Sequence, residues 1–288
     1  MKSAGIFYFS GTGNTEIVAK MISDSFVRHE YSVDLIKIED ITKSRQKVDA
    51  EKYDLIGIGS QVIAFGCPRI VYDFLKYLPD GNGKKLFIFR TAGGVVTQNY
   101  NASRPLCRKL TRKGYDVFHE RLFSIASNWA VRFDDEVVKK LYETTRMKTE
   151  IMCEQLIQNQ TRFLKTGPFT RLMMSFIAAI SSVALRLVGK DYKVGSSCNH
   201  CGTCIKHCPV KNIYEKNRKI KFKLSCICCM RCIYNCPKQS IKLRLFSFFY
   251  LPGGYNINKL INSPDTGNKS PNGIIPPFFN KYIVDKEL

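Results

Sequence analysis

Acidic residues are scarce in this chain: 24 Asp and Glu stand against 45 Lys and Arg in 288 residues, a formal net charge of +21. A surface of that sign suits acidic proteins or anionic surfaces and repels basic ones. Nucleic acid would also be attracted, but no helix-turn-helix, RNP or zinc-finger pattern is present, so no nucleic-acid partner is expected. No glycine-rich turn ends in Gly-Lys-Ser or Gly-Lys-Thr, which excludes the triphosphate loop that relies on lysine and magnesium. Met1-Lys2-Ser3-Ala4 runs straight into an apolar stretch with no signal-peptide layout. The expectation is a reducing cytoplasm, where twelve cysteines remain thiols instead of stapling a secreted scaffold. Hydrophobic residues make up 44% and aromatics 12%, the composition of an ordinary globular chain, here long enough for two domains.

Cysteine, by contrast, is concentrated. Cys198-Asn-His-Cys201-Gly-Thr-Cys204-Ile-Lys-His-Cys208-Pro209 is followed by Cys226-Ile-Cys-Cys229-Met-Arg-Cys232-Ile-Tyr-Asn-Cys236-Pro237. Both read C-x2-C-x2-C-x3-C-P, a spacing that wraps three thiolates around one [4Fe–4S] cubane while the fourth completes the other cluster. A zinc ribbon needs only two cysteines per half, whereas each half here offers four. The segment resembles a bacterial-type two-cluster ferredoxin. The resemblance implies one cluster on Cys198, Cys201, Cys204 and Cys236, and another on Cys226, Cys229, Cys232 and Cys208. Cys228 falls outside that register, Cys67, Cys107 and Cys153 read as inert core thiols, and His200 and His207 as solvated neighbours. Residues 195–245 also carry eleven Lys and Arg against one acidic residue. Two dianionic clusters would reduce that excess to about +6, still suited to an acidic redox partner.

The first half reads differently. Apolar runs at 4–9, 32–38, 54–59, 84–90 and 115–125 alternate with helical stretches at 16–29, 69–77, about 100–113 and 134–164. That alternation predicts an α/β doubly wound parallel sheet of five strands. Ligands bind such sheets beyond the carboxyl ends of the strands, where three loops fall. Ser10-Gly11-Thr12-Gly13-Asn14-Thr15 joins the first strand to a helix N-terminus, an anion site with hydroxyls suited to a monophosphate. Ser60, Gln61, Val62, Ile63, Ala64, Phe65 and Gly66 follow the third strand, and Thr91, Gly93 and Gly94 the fourth. Over residues 1–155 the chain resembles the flavodoxin family, which implies order 2-1-3-4-5, the FMN phosphate on the first loop and the isoalloxazine ring between the other two. Phe65 is the single aromatic those two loops offer. Trp129, after the fifth strand, is either a second ring face or a core residue.

Between the halves, residues 172–188 are apolar on nearly every side, with Arg186 inside the run. The expectation is a helix buried between domains, with contact at a membrane surface through 169–188 as the alternative and spanning disfavoured. The organisation expected is a flavodoxin-like domain at 1–160, an apolar helical linker at 161–194, a two-cluster ferredoxin-like domain at 195–245 and an extension packed on the body at 246–288. The whole resembles the ferredoxin–flavodoxin fusion proteins of anaerobic prokaryotes. It implies electron transfer between FMN and two [4Fe–4S] clusters, to or from a redox partner. A flavin-dependent reductase of a small molecule or quinone, and a redox-sensing scaffold, are the competing readings. No acid–base or nucleophilic constellation accompanies the flavin loops, so no catalytic residue is assigned.

Overall fold

The computed structural model describes residues 1–251, 253–262 and 277–285. Five parallel strands, β1 (Ser3–Phe9), β2 (Ser32–Lys37), β3 (Leu55–Gln61), β4 (Lys85–Ala92) and β5 (Asp116–Ser124), form one sheet in the order β2-β1-β3-β4-β5. This is the doubly wound α/β sheet that the alternation of periods predicts, in the flavodoxin-like order that the resemblance implies. β1, β3 and β4 are buried along most of their length, and carry mainly apolar residues, because both faces are covered. On one face, Val18, Ile22 and Phe26 of α1 (Asn14–Arg28) and Met152 and Leu156 of a later helix close over Phe87, Phe89 and Phe123. On the other, Phe74, Leu106 and Leu110 cover Phe7, Phe9, Ile56 and Ile58. Gly57 and Gly59 in β3 give room to the rings of Phe87 and Phe89, whose atoms lie 2.4 and 2.0 Å from where a Cβ would stand.

The remaining helices are α2 (Ile38–Ser44), α3 (Arg69–Phe74), α4 (Thr97–Tyr100), α5 (Arg104–Arg112), α6 (Asp135–Ile157), α7 (Pro168–Asp191), α8 (Thr203–Lys206), α9 (Arg231–Tyr234), α10 (Ile257–Asn262) and α11 (Pro277–Val284). The helix expected over 100–113 is divided. A 3₁₀ turn at Asn101–Ser103 separates α4 from α5, and the buried Arg90 guanidinium takes the carbonyls of Asn99 and Tyr100 there. The helix expected to reach 164 stops at Ile157, because Arg162 runs alongside β5 and exchanges backbone hydrogen bonds with Phe118 and Glu120.

In the cysteine-rich segment, β6 (Tyr192–Val194) pairs with β9 (Ile241–Leu243), and β7 (Ile213–Lys216) forms a hairpin with β8 (Lys219–Phe222). Of the described residues near the end of the chain, Leu251, Tyr255 and Ile257 join the α1/α6 core, and Phe279 and Tyr282 are buried against Leu122 and Leu141. Residues 263–276 of that extension lie outside the described residues.

Burial between domains is the expectation that fails. α7 lays Met174, Ala178, Leu185 and Val188 toward the protein, and leaves Phe169, Leu172, Phe176, Ile180, Val183 and Leu187 exposed. Only 17% of its most apolar window is buried. Hydropathy cannot reveal which face of an all-apolar helix finds a neighbour.

Candidate functional site

A cavity of about 320 Å³ opens beyond the carboxyl ends of β1, β3 and β4. Its wall contains Ser10, Gly11, Thr12, Asn14 and Thr15 of the first loop, Gln61, Val62, Ile63, Ala64 and Phe65 of the second, and Thr91, Gly93 and Gly94 of the third. Three expected residues stand just behind it. Gly13 caps α1 with φ of 106°, a value that costs glycine little. Ser60 is buried, with its Oγ against Cys67 Sγ at 3.8 Å. Gly66 exchanges two backbone hydrogen bonds with Ile63, closing a tight turn whose inner residues Ala64 and Phe65 both take the left-handed conformation.

The loops hold one another. Gly11 N–H donates to Gln61 Oε1 at 3.0 Å, Gly13 N–H to Ser10 Oγ at 3.1 Å, and the hydroxyls of Thr15 and Thr91 meet at 2.8 Å. The N-terminus of α1 has no side-chain cap, so its first-turn N–H groups and its dipole remain directed at an anion. Asn14 donates to Ala126 O, Asn128 Nδ2 to Thr12 Oγ1, and Tyr255 Oη to Asn14 Oδ1.

Several wall residues were not expected. Ala126, Ser127 and Asn128 follow β5 directly, so the rule that ligands sit beyond strand ends could have pointed to them. Asn99 and Cys228 carry no such signal; Cys228 arrives from the cysteine-rich segment. Trp129 lines the cavity and stacks on Phe249, with ring centroids 4.4 Å apart and planes within 5°.

The two cysteine copies fold alike. His200, Gly202 and Lys211 have positive φ in the first, and Cys228, Met230 and Gln239, each 28 positions on, have it in the second. A short helix follows in each, α8 and α9, and backbone N–H groups donate to the last sulfur of each copy: Asn212 to Cys208 at 3.2 Å and Ser240 to Cys236 at 3.3 Å. Cys198, Cys201 and Cys204 line one small cavity together with Cys236 of the other copy. Burial raises the Cys232 thiol, and the neighbouring Cys229, Cys226, Cys208 and Cys204 raise it further. Among the described residues, no three His, Cys, Asp or Glu side chains converge tightly enough for a single metal ion.

The remaining cysteines behave as expected of core residues. Burial pushes the thiols of Cys107 and Cys153 up to about 12 and also raises that of Cys67, which keeps them protonated and unreactive. His200 instead pairs with Glu215 at 2.9 Å.

The cysteine-rich segment is built against the first loop. Arg231 donates to the carbonyls of Ser10 and Gly11 and to the Glu39 carboxylate. A Cβ on Gly11 would stand 2.4 Å from the carbonyl oxygen of Cys229.

The Flavodoxin family profile matches residues 6–64. An uncharacterised protein of Methanocaldococcus jannaschii is 33% identical over 107 residues, covering 37% of this chain and 64% of that protein. Flavodoxin 1 of Escherichia coli is 37% identical over 92 residues, 31% of this chain and 49% of its own. The chain thus spans between half and two thirds of the length of these curated relatives. Among solved structures, an archaeal flavodoxin aligns at 15% identity over 53% of this chain and 99% of its own, with a TM-score of 0.33. The rubredoxin:oxygen oxidoreductase of Desulfovibrio gigas aligns at 18% identity over 55% of this chain and 37% of its own, with a TM-score of 0.38.

Proposed function

We propose that this chain is an electron-transfer protein that holds FMN in the cavity at the strand ends and two [4Fe–4S] clusters on its eight repeated cysteines. What supports the flavin part is the flavodoxin-like sheet with a family match across its first loop, the uncapped α1 N-terminus, and the hydroxyls of Ser10, Thr12 and Thr15 beside it. The observation that carries the cluster part is the crossing of the copies: Cys236 joins Cys198, Cys201 and Cys204 around one space, as the repeated spacing demands. Flavin exchanges electrons singly or in pairs and a cubane exchanges them one at a time, so the bound groups would supply a two-to-one converter.

The chain's own residues support an order. The Cys226 set adjoins the flavin cavity, since Cys228 lines that cavity and the Cys229 carbonyl touches Gly11. The Cys198 set is the outer one, with Cys201 exposed. Around it Lys206, Lys211, Lys216, Arg218, Lys219 and Lys221 are exposed, a surface for an acidic redox partner. Arg231 and Tyr234, whose hydroxyl donates to Asn128 O, hold the two cofactor sites in fixed relation.

The test is an anaerobic absorption spectrum of purified protein with iron, acid-labile sulfide, zinc and flavin quantified. The expected result is about eight irons and one FMN per chain. Iron without flavin removes the FMN site, and zinc without sulfide removes the clusters and the function with them.

A further inference from the structure

α7 (Pro168–Asp191) is, among the described residues, the one helix long and apolar enough to cross a membrane, with a mean hydropathy of 1.9 over its best window. Its packing does not suit a crossing. One face is engaged along its length: Asn101 bonds to Ser175 Oγ and Arg171 O, Ala178 meets Gly66, and Leu185 O accepts from Cys228 Sγ. Near its end Lys190 Nζ donates to Phe222 O. The other face presents Phe169 (77% exposed), Leu172 (73%), Phe176 (66%), Ile180, Val183 and Leu187. These recur at intervals of three and four residues, so they form a single stripe running the length of the helix. A helix anchored on one side with large apolar side chains on the other is built to lie in a bilayer interface.

A second observation beside its N-terminal end says which bilayer. A cavity of about 720 Å³ between α5 and the start of α7 is lined by Arg104, Arg108, Arg112, Lys165 and Arg171. The three arginines of α5 are spaced by four and so share one face. None of the five has a carboxylate partner among the described residues, and the Arg171 Nε is buried without any hydrogen bond. The one carboxylate in the wall, Glu120, is already taken: it accepts from Ser103 Oγ and from Leu164 N–H and lies 3.5 Å from Arg90. Thr111 and Thr166 add hydroxyls to the same wall. The cavity is therefore a concentration of uncompensated cations, and arginine forks fit phosphate oxygens.

We propose that this protein docks on an anionic phospholipid surface, with the exposed stripe of α7 in the acyl boundary and a lipid headgroup phosphate in the Arg104–Arg108–Arg171 cavity. The apolar stripe gives depth and the cavity gives selection for negative headgroups. The inference holds whichever cofactors the protein carries.

Flotation of the full cofactor-loaded chain with vesicles tests it, using phosphatidylcholine alone and phosphatidylcholine mixed with phosphatidylglycerol. The wild type is expected to float with the phosphatidylglycerol vesicles and not with the neutral ones. Arg104→Gln/Arg108→Gln/Arg112→Gln is expected to lower partitioning on the order of a hundredfold, from about one elementary interaction per basic residue lost. Phe176→Ser/Ile180→Ser, at exposed positions, is expected to abolish flotation while circular dichroism and the visible spectrum stay as in wild type. Equal flotation on neutral vesicles, or none on either, overturns the proposal. So does a concentration-dependent dimer that Phe176→Ser dissolves without any vesicle binding, which would make the stripe a contact between copies. Binding of inorganic phosphate by the arginines with no vesicle binding overturns it too, and assigns the cavity to a free anion.

Discussion

Arg231 and Glu39, 192 positions apart, form a buried two-pronged ion pair: Nη1 to Oε1 at 2.6 Å and Nη2 to Oε2 at 3.0 Å. The same guanidinium reaches the carbonyls of Ser10 and Gly11 and of His207. One side chain from the second cysteine copy therefore ties together α2, the first loop of the sheet and the first cysteine copy.

Arg231→Ala leaves the Glu39 carboxylate buried without a partner. A loss of about 3 kcal/mol in unfolding free energy is expected, measured by denaturant titration, together with weaker flavin retention. Arg231→Lys is expected to recover less than half of the loss, because an ammonium cannot span both oxygens. Full recovery by lysine would reduce the pair to a simple charge contact.

At Gly11 the two halves approach so closely that a side chain has no room. Gly11→Ala would drive a methyl group into the Cys229 carbonyl, and neither backbone can yield cheaply. The variant is expected to lose flavin and the iron of the Cys226 set together, by cofactor analysis. Gly167→Ala, which meets nothing within 4 Å, serves as the neutral control.

The crossed cysteines can be separated one by one. Cys208→Ser and Cys236→Ser are each expected to remove about half of the iron, the first disturbing flavin reduction more because its set adjoins the cavity. Cys228→Ser is expected to keep the full complement. Loss of iron in that variant would make Cys228 a ligand and move the register.

Trp129 is the chain's single tryptophan, so its emission reports on the cavity without interference. Adding FMN to flavin-stripped protein is expected to quench it. Trp129→Ala should weaken FMN about tenfold, in keeping with the worth of one aromatic face. Unchanged emission and affinity would leave Trp129 as a partner of Phe249 alone.

His119 is fully buried in β5, with Nδ1 3.1 Å from Gln160 O and Nε2 without a partner among the described residues. Burial lowers its pKa to about 4, from an unfolded value near 6.5. The unfolded chain thus binds the extra proton first, so the stabilisation is complete above about pH 6.5 and is lost as pH falls toward 4. At pH 4 the deficit is of order 3 kcal/mol. His119→Gln should flatten stability between pH 4 and 6.5 relative to wild type, a comparison that removes any cluster loss common to both.

Local pattern by itself determined the two halves of this protein. A central strand covered on both faces reads as a near-continuous apolar run, and a turn rich in glycine and hydroxyls leads into α1, so β1, the Ser10–Thr15 loop and the start of α1 are readable from a dozen consecutive residues. The cysteine copies are readable for the same reason, since a 28-residue repeat puts the same left-handed positions under both. What only the tertiary structure decided involves residues far apart in the chain. The pairing of Arg231 with Glu39, the arrival of Tyr255 at Asn14 and the stacking of Phe249 on Trp129 depend on which surfaces meet, and pairwise contacts of that range leave no periodic trace. α7 shows the limit most plainly. Its sequence declares it apolar, but only packing could decide that Met174 and Val188 face the protein while Phe169, Leu172 and Phe176 face outward.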